Sequence, residues 1–160
     1  MTGFGVIEKK GNQSIYIDSG FISLADLSMN DRLQEIFSGL HSIVKTYQPE
    51  SAGIEQVFMH KNPGAALKLG QARGAAIVAV TSCKVPVSEY SARQVKQSVV
   101  GYGAANKSQV QHMVCTLLNL KEKPQLDASD ALAIALCHAH TKESLTDLAG
   151  ATGIRGGRWR

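Results

Sequence analysis

The stretch from Ser51 to Tyr90 constrains the fold more than any other. Ser51 to Phe58 (SAGIEQVF) is a short apolar run with strand character, and Val85 to Tyr90 is another. Between them, Gly64 to about Ser82 has the composition of a helix. Strand, helix and strand in that order form the repeating unit of an α/β sheet with helices on its faces, and the strands so joined are expected to be parallel. Asn62-Pro63 opens the helix, with Asn as N-cap and Pro in the first turn. Gly64, Ala65, Ala66, Gly70, Ala72, Gly74, Ala75, Ala76 and Ala79 make this helix unusually rich in small side chains. Small residues let a second backbone come close, so a tight helix contact is expected, either inside the fold or across a dimer.

The flanking sequence supplies the remaining elements. Thr2 to Ile7 and Gln13 to Leu24 alternate like strands around a KKGN turn and read as an antiparallel hairpin. From Asn30, Leu33, Ile36, Phe37, Leu40, Ile43 and Val44 fall at helical spacing, and Pro49 closes that helix. Ser91-Ala92-Arg93-Gln94 has capping-box spacing and starts a short helix to Val100. Asn106 to Asn119 and Asp127 to His140 are two further helices. The predicted order is ββαβαβααα: one mixed α/β domain to residue 140, followed by a polar, Gly-rich stretch, 141–160, expected as a flexible basic tail.

Composition narrows the function classes. The 160 residues are 44% hydrophobic and 19% charged, enough apolar material for one core. No apolar run reaches bilayer length and no secretory signal pattern opens the chain, so a cytoplasmic protein is expected. A net charge of +4 mildly favours polyanionic partners. Cys83, Cys115 and Cys137 are widely spaced, with no C-x-x-C pair to suggest a disulfide framework or a zinc site. Cys137, His138 and His140 read as a buried thiol beside histidines at the end of a helix, where the dipole suits them. No G-x-x-x-x-G-K-[ST] loop is present, which argues against nucleotide handling.

Three carboxylates are the candidates for chemistry. Glu55 sits within an apolar strand, where a carboxylate is costly unless it is paired or bound to a cation. Asp127 and Asp130, at i and i+3, face one side of a helix. Each could instead serve locally, Glu55 as a strand-end residue or in a salt bridge to a lysine, Asp127 as an N-cap and Asp130 in a first turn that favours negative charge. Convergence of a strand carboxylate with two at a helix start would suit a hard cation such as Mg²⁺. A pair of such ions can activate a water and stabilise the leaving oxygen of a phosphodiester.

Three strings are more specific than the spacing: IEQVFMHKNPGAALKLGQARG, EYSARQVKQSVVGYGAANKSQVQHMV and DASDALAIALCHAH. They resemble the bacterial RuvC Holliday-junction endonucleases, from Thr2 to about His140. The resemblance implies a ribonuclease-H-like fold, a homodimer, and paired nicks in four-way DNA junctions. It also implies dependence on Mg²⁺, with two ions per subunit and Mn²⁺ as an alternative, and partnership with a branch-migration motor complex of the RuvA and RuvB type. By position, Glu55 matches the family's strand carboxylate, and Asp127 and Asp130 match the two at its last helix. Phe58 matches an aromatic residue that meets junction bases, although a core phenylalanine would also fit there. Lys96 and Lys107 match basic residues near the catalytic centre, Lys107 as a catalytic candidate too, and Arg93 joins them as a DNA-binding candidate. The small-residue helix from Gly64 resembles the family's dimer helix.

The chain departs from the pattern at its start. The family opens with a central strand carrying a G-I-D-P-G-S segment, whose aspartate is a metal ligand, and Met1-Thr2-Gly3-Phe4-Gly5-Val6 aligns with the strand after it. A sheet without that strand is expected to fall into two fragments with unpaired edges, to be unstable, and to cut poorly. Met1 stands where relatives often carry valine, consistent with an internal start in a longer reading frame. The alternative function is junction binding without cleavage.

Overall fold

The computed structural model describes residues 1–56 and 62–151, with backbone only for 145–151. The element order is the expected one: β1 (Thr2–Lys10), β2 (Gln13–Ile22), α1 (Met29–Tyr47), β3 (Ala52–Glu55), α2 (Pro63–Thr81), β4 (Val87–Tyr90), α3 (Ala92–Val100), α4 (Lys107–Leu117) and α5 (Leu126–Ala151). Local capping chemistry sets several boundaries. Asn62 Oδ1 accepts from the Ala65 amide at the start of α2. Ser91 with Gln94, and Asn106 with Gln109, form reciprocal capping boxes at α3 and α4.

The strands form two ladders. β1 and β2 are antiparallel, turning at Gly11 with φ +54°, and their register shifts between Val6 and Ile7. β3 and β4 are parallel, with Ala52 opposite Val87 and Glu55 opposite Tyr90. Among the described residues the two ladders share no hydrogen-bonded strand, so each strand keeps one edge without a ladder partner. What joins them is α5, which packs against all four strands and against α3 and α4. Leu132, Ala133, Leu136 and Cys137 of α5 meet Tyr90, Val95, Val99, Val110 and Val114 in one core.

α5 runs through to Ala151, beyond the boundary expected at residue 140. Thr141 and Ser144 donate to the carbonyls of Cys137 and His140, and Lys9 Nζ pairs with Glu143 at 2.9 Å. Polar residues that read as a tail thus continue the helix; residues 152–160 lie outside the described residues. His138, expected at a helix end, is instead buried well inside α5. Its Nδ1 meets Tyr90 OH and its Nε2 meets Ser51 Oγ, both at 2.8 Å. Burial, aided by the Lys142 charge, pushes its pKa down, so a neutral ring clamps α5 to the strands.

The small residues of α2 divide between two faces: Ala76 and Ala79 are buried where α2 lies against α1, while Gly70 and Gly74 face outward. Leu67 (70% exposed) and Val78 (55%) share a stripe with Gly70 and Gly74, and a Cβ at either glycine would meet nothing within 4 Å. The helix contact expected inside the fold is thus made with α1, and a second tight approach lies between β1 and the start of α5. A Cβ on Gly3 would stand 2.0 Å from the Asp127 carbonyl oxygen. A Gly3→Ala chain must therefore push the first turn of α5 away from β1. It should lose about 3 kcal/mol, the upper end for overpacking because the obstacle is backbone. A thermal melt reads this as a clear fall in Tm; an unchanged Tm would mean that this contact is not made.

Candidate active site

Local structure brings the acidic and basic candidates to one end of the molecule. Glu55 is the last residue of β3, and its side chain is exposed rather than enclosed by the strand. The expected cost of burying it mid-strand therefore does not apply in full. Even so, lost hydration raises its pKa, and the charge of Asp130 adds to the rise, while Lys107 and Lys96 oppose it. Those influences place Asp130, Lys107 and Lys96 in the electrostatic neighbourhood of Glu55.

Asp127 and Asp130 lie on the first turns of α5. Asp127 is not the N-cap. Gln125 Oε1 accepts from the amides of Asp127 (2.9 Å) and Ala128 (3.4 Å). Gln125 Nε2 then donates to Asp127 Oδ2 at 3.0 Å. One glutamine thus satisfies the helix start and orients the carboxylate that capping would otherwise have consumed. Glutamine is not a preferred cap, so composition gave no signal for this.

Lys107 is the first residue of α4, after the Asn106 cap. Its Nζ lies 2.9 Å from Asp130 Oδ2. The hydrogen bond and charge of Asp130 raise the ammonium pKa, burial lowers it, and the charges of Glu55 and Asp127 raise it further. One cation therefore feels all three carboxylates. With Lys107 73% exposed, the pair itself contributes at most about 1 kcal/mol to stability.

The remaining candidates divide. Lys96 is partly buried and close enough to act on Glu55. Arg93 is exposed and lays its stem on Gly103, where a Cβ would come within 2.6 Å of its Cγ. Phe58 lies outside the described residues. Among the described residues, no three acidic, histidine or cysteine side chains form a ready-made metal cage. Asp130 alone of the three carboxylates touches Lys107, with Glu55 and Asp127 acting on it through charge.

The family model for crossover junction endodeoxyribonuclease RuvC matches residues 1–138. The chain belongs to the RuvC family. The crossover junction endodeoxyribonuclease RuvC of Vibrio cholerae serotype O1 is 55% identical over all of this chain and 93% of that protein. The RuvC of Marinobacter nauticus is 56% identical over all of this chain and 92% of its own length. Among solved structures, Thermus thermophilus RuvC in complex with a Holliday junction substrate superposes with a TM-score of 0.83 at 33% identity, covering 90% of this chain and 89% of that one. A second Thermus thermophilus RuvC structure gives 0.78 at 34% identity, covering 90% of each. The ribonuclease-H-like architecture expected from the sequence is thus the one this RuvC-family chain adopts. Among the described residues no helix is long and apolar enough to cross a membrane.

The raised pKa of Glu55 has a testable sign. An acid whose folded pKa lies above its unfolded one is more favourable to the fold when protonated. That contribution is full below the unfolded pKa and is lost as pH rises through the raised folded value. In a metal-free buffer, Glu55→Gln should therefore melt higher than the unsubstituted chain at neutral pH, with the gap shrinking toward about pH 4. An equal or lower Tm at neutral pH would show that the charge is not strained there.

Proposed function

We propose that this chain is a structure-selective endodeoxyribonuclease that nicks four-way DNA junctions in recombination and repair. The observation that supports it best is Lys107 Nζ 2.9 Å from Asp130 Oδ2 at the start of α5, within electrostatic reach of Glu55 and Asp127. An all-carboxylate donor set suits a hard divalent cation, and a lysine ammonium already fills part of that electrostatic demand. Glu55, Asp127 and Asp130 would hold Mg²⁺, or Mn²⁺, as a pair of ions per subunit. When bound, the metal would polarise a water for attack and supply charge for the leaving oxygen.

The protein's own groups do the rest. Gln125 holds the Asp127 carboxylate through Nε2, and the α4 cap fixes the base of Lys107. Lys107 swings between Asp130 and a junction phosphate, neutralising charge that grows as the P–O bond breaks. Lys96 and Arg93 add phosphate contacts, and Phe58 meets the junction bases. The outward stripe of α2 supports a homodimer, whose dyad would set two sites against two strands of like polarity. The branch-migration motor complex of the RuvA and RuvB type and a cytoplasmic location complete this reading.

A second reading, binding without cutting, is favoured by one observation: among the described residues no three acidic, histidine or cysteine side chains are gathered closely enough to hold a metal ion. Phosphate contacts need no metal. Incubation with a synthetic four-way junction and with linear duplex, with and without Mg²⁺, separates the two. Nicks confined to the junction and dependent on Mg²⁺ support the nuclease. Tight junction binding with no nicks supports the second reading.

A further inference from the structure

Arg73 stands on α2, outside the carboxylate cluster, yet it reaches the strand end that carries Glu55. Its Nε donates to the Glu55 carbonyl oxygen at 3.1 Å. Its Nη2 lies 2.6 Å from Glu89 Oε2 of β4. That Nη2 is buried and makes no well-aligned hydrogen bond, so Glu89 compensates it by charge alone.

The geometry explains why such a clamp is placed there. The Gln56 amide donates to Tyr90 O at 2.8 Å, continuing the β3–β4 ladder. Backbone groups of successive residues in an extended chain point to opposite sides, so the Glu55 carbonyl points away from β4. It lies on the edge of β3 that has no ladder partner among the described residues. A carbonyl at such an edge, in the last residue of a strand of only four, has little to fix its peptide plane. Arg73 supplies that fixation, and Glu89, one register step back, fixes Arg73 in turn.

We infer that Arg73 is a positioning residue for Glu55, holding the strand-end peptide so that the carboxylate faces Asp130 and Lys107. This rests on the reading of Glu55 as a metal ligand. Groups that orient a ligand from behind it typically change metal affinity by about 10–100-fold when removed.

The test measures Mn²⁺ affinity by titration with electron paramagnetic resonance detection of the free ion. Thermal melts and junction binding in a chelating buffer run beside it. The variants are Arg73→Gln, Arg73→Lys and Glu89→Gln, with Glu55→Gln as reference. Arg73→Gln should weaken Mn²⁺ binding by about 10–100-fold while metal-free junction binding stays unchanged. Arg73→Lys, which keeps a donor for the carbonyl, should recover part of the loss, and Glu89→Gln should fall between Arg73→Gln and the unsubstituted chain. A merely structural arginine would lower Tm in all three with no ranked change in Mn²⁺ affinity. Should Arg73→Gln not fold, Arg73→Lys and Glu89→Gln decide: Mn²⁺ affinity within twofold of the unsubstituted chain in both overturns the assignment. If those variants are unaffected while Glu55→Gln loses Mn²⁺, only the role of Arg73 fails. If Glu55→Gln itself binds Mn²⁺ normally, the ligand reading fails and the positioning role goes with it.

Discussion

Asp130→Asn should lose about 10²–10³-fold in junction nicking relative to the unsubstituted chain, with little change in junction binding. Asp130 touches Lys107 and adds to the raised pKa of Glu55, so it links the basic and acidic candidates. Replacing it by an isosteric amide removes one full charge and leaves the shape. Metal-assisted charge stabilisation is worth several kcal/mol, and each 1.36 kcal/mol is tenfold in rate, which gives the stated range. Fold stability should hardly move, because the Lys107–Asp130 pair is solvent-exposed. Single-turnover nicking at saturating enzyme, with a melt as control, reads both quantities. A variant that nicks within threefold of the unsubstituted chain would remove Asp130 from the chemistry.

Lys107→Ala makes a sharper prediction, because its two effects have opposite signs. The ammonium competes with a divalent cation for Asp130 and is held there by Glu55 and Asp127 as well. Its removal should therefore tighten Mn²⁺ binding. The same removal takes away a charge that neutralises phosphate as the bond breaks, so nicking should fall by about 10²-fold. The salt dependence of junction binding should also flatten by about one unit of slope, as for the loss of one phosphate contact. Tighter metal binding with slower cutting is a combination that simple misfolding does not produce. Weaker Mn²⁺ binding in Lys107→Ala would show that the lysine supports the metal site.

Much of this was legible in the sequence because the signals are local. Asn62-Pro63, Ser91 with Gln94 and Asn106 announce three helix starts, and the alternation from Thr2 to Ile22 announces the hairpin; the structure uses each of them. Long-range facts were less visible. The extent of α5 was misjudged because Thr141, Lys142, Glu143 and Ser144 are polar, whereas their role depends on back-bonding and on Lys9 from a distant strand. Gln125 and Arg73 were missed for a related reason. Glutamine is a poor cap by preference and arginine is usually a surface residue, and only the fold shows what their side chains reach. Of the readings open for Glu55 the strand-end one holds: it ends β3 and is exposed there, and its raised pKa comes from lost hydration and a carboxylate neighbour. The carboxylates stood out less by their spacing, since each has a local reading, than through the strings IEQVFMHKNPGAALKLGQARG and DASDALAIALCHAH that carry them.

The most direct measurement is Mn²⁺ uptake by the unsubstituted chain beside Glu55→Gln, Asp127→Asn and Asp130→Asn, followed by the loss of the free-ion resonance at fixed pH and salt. Saturable uptake by the unsubstituted chain, reduced at least about tenfold in every one of the three variants, is the expected result. Uptake that none of the three substitutions alters would place any bound cation elsewhere and contradict a shared carboxylate site around Lys107.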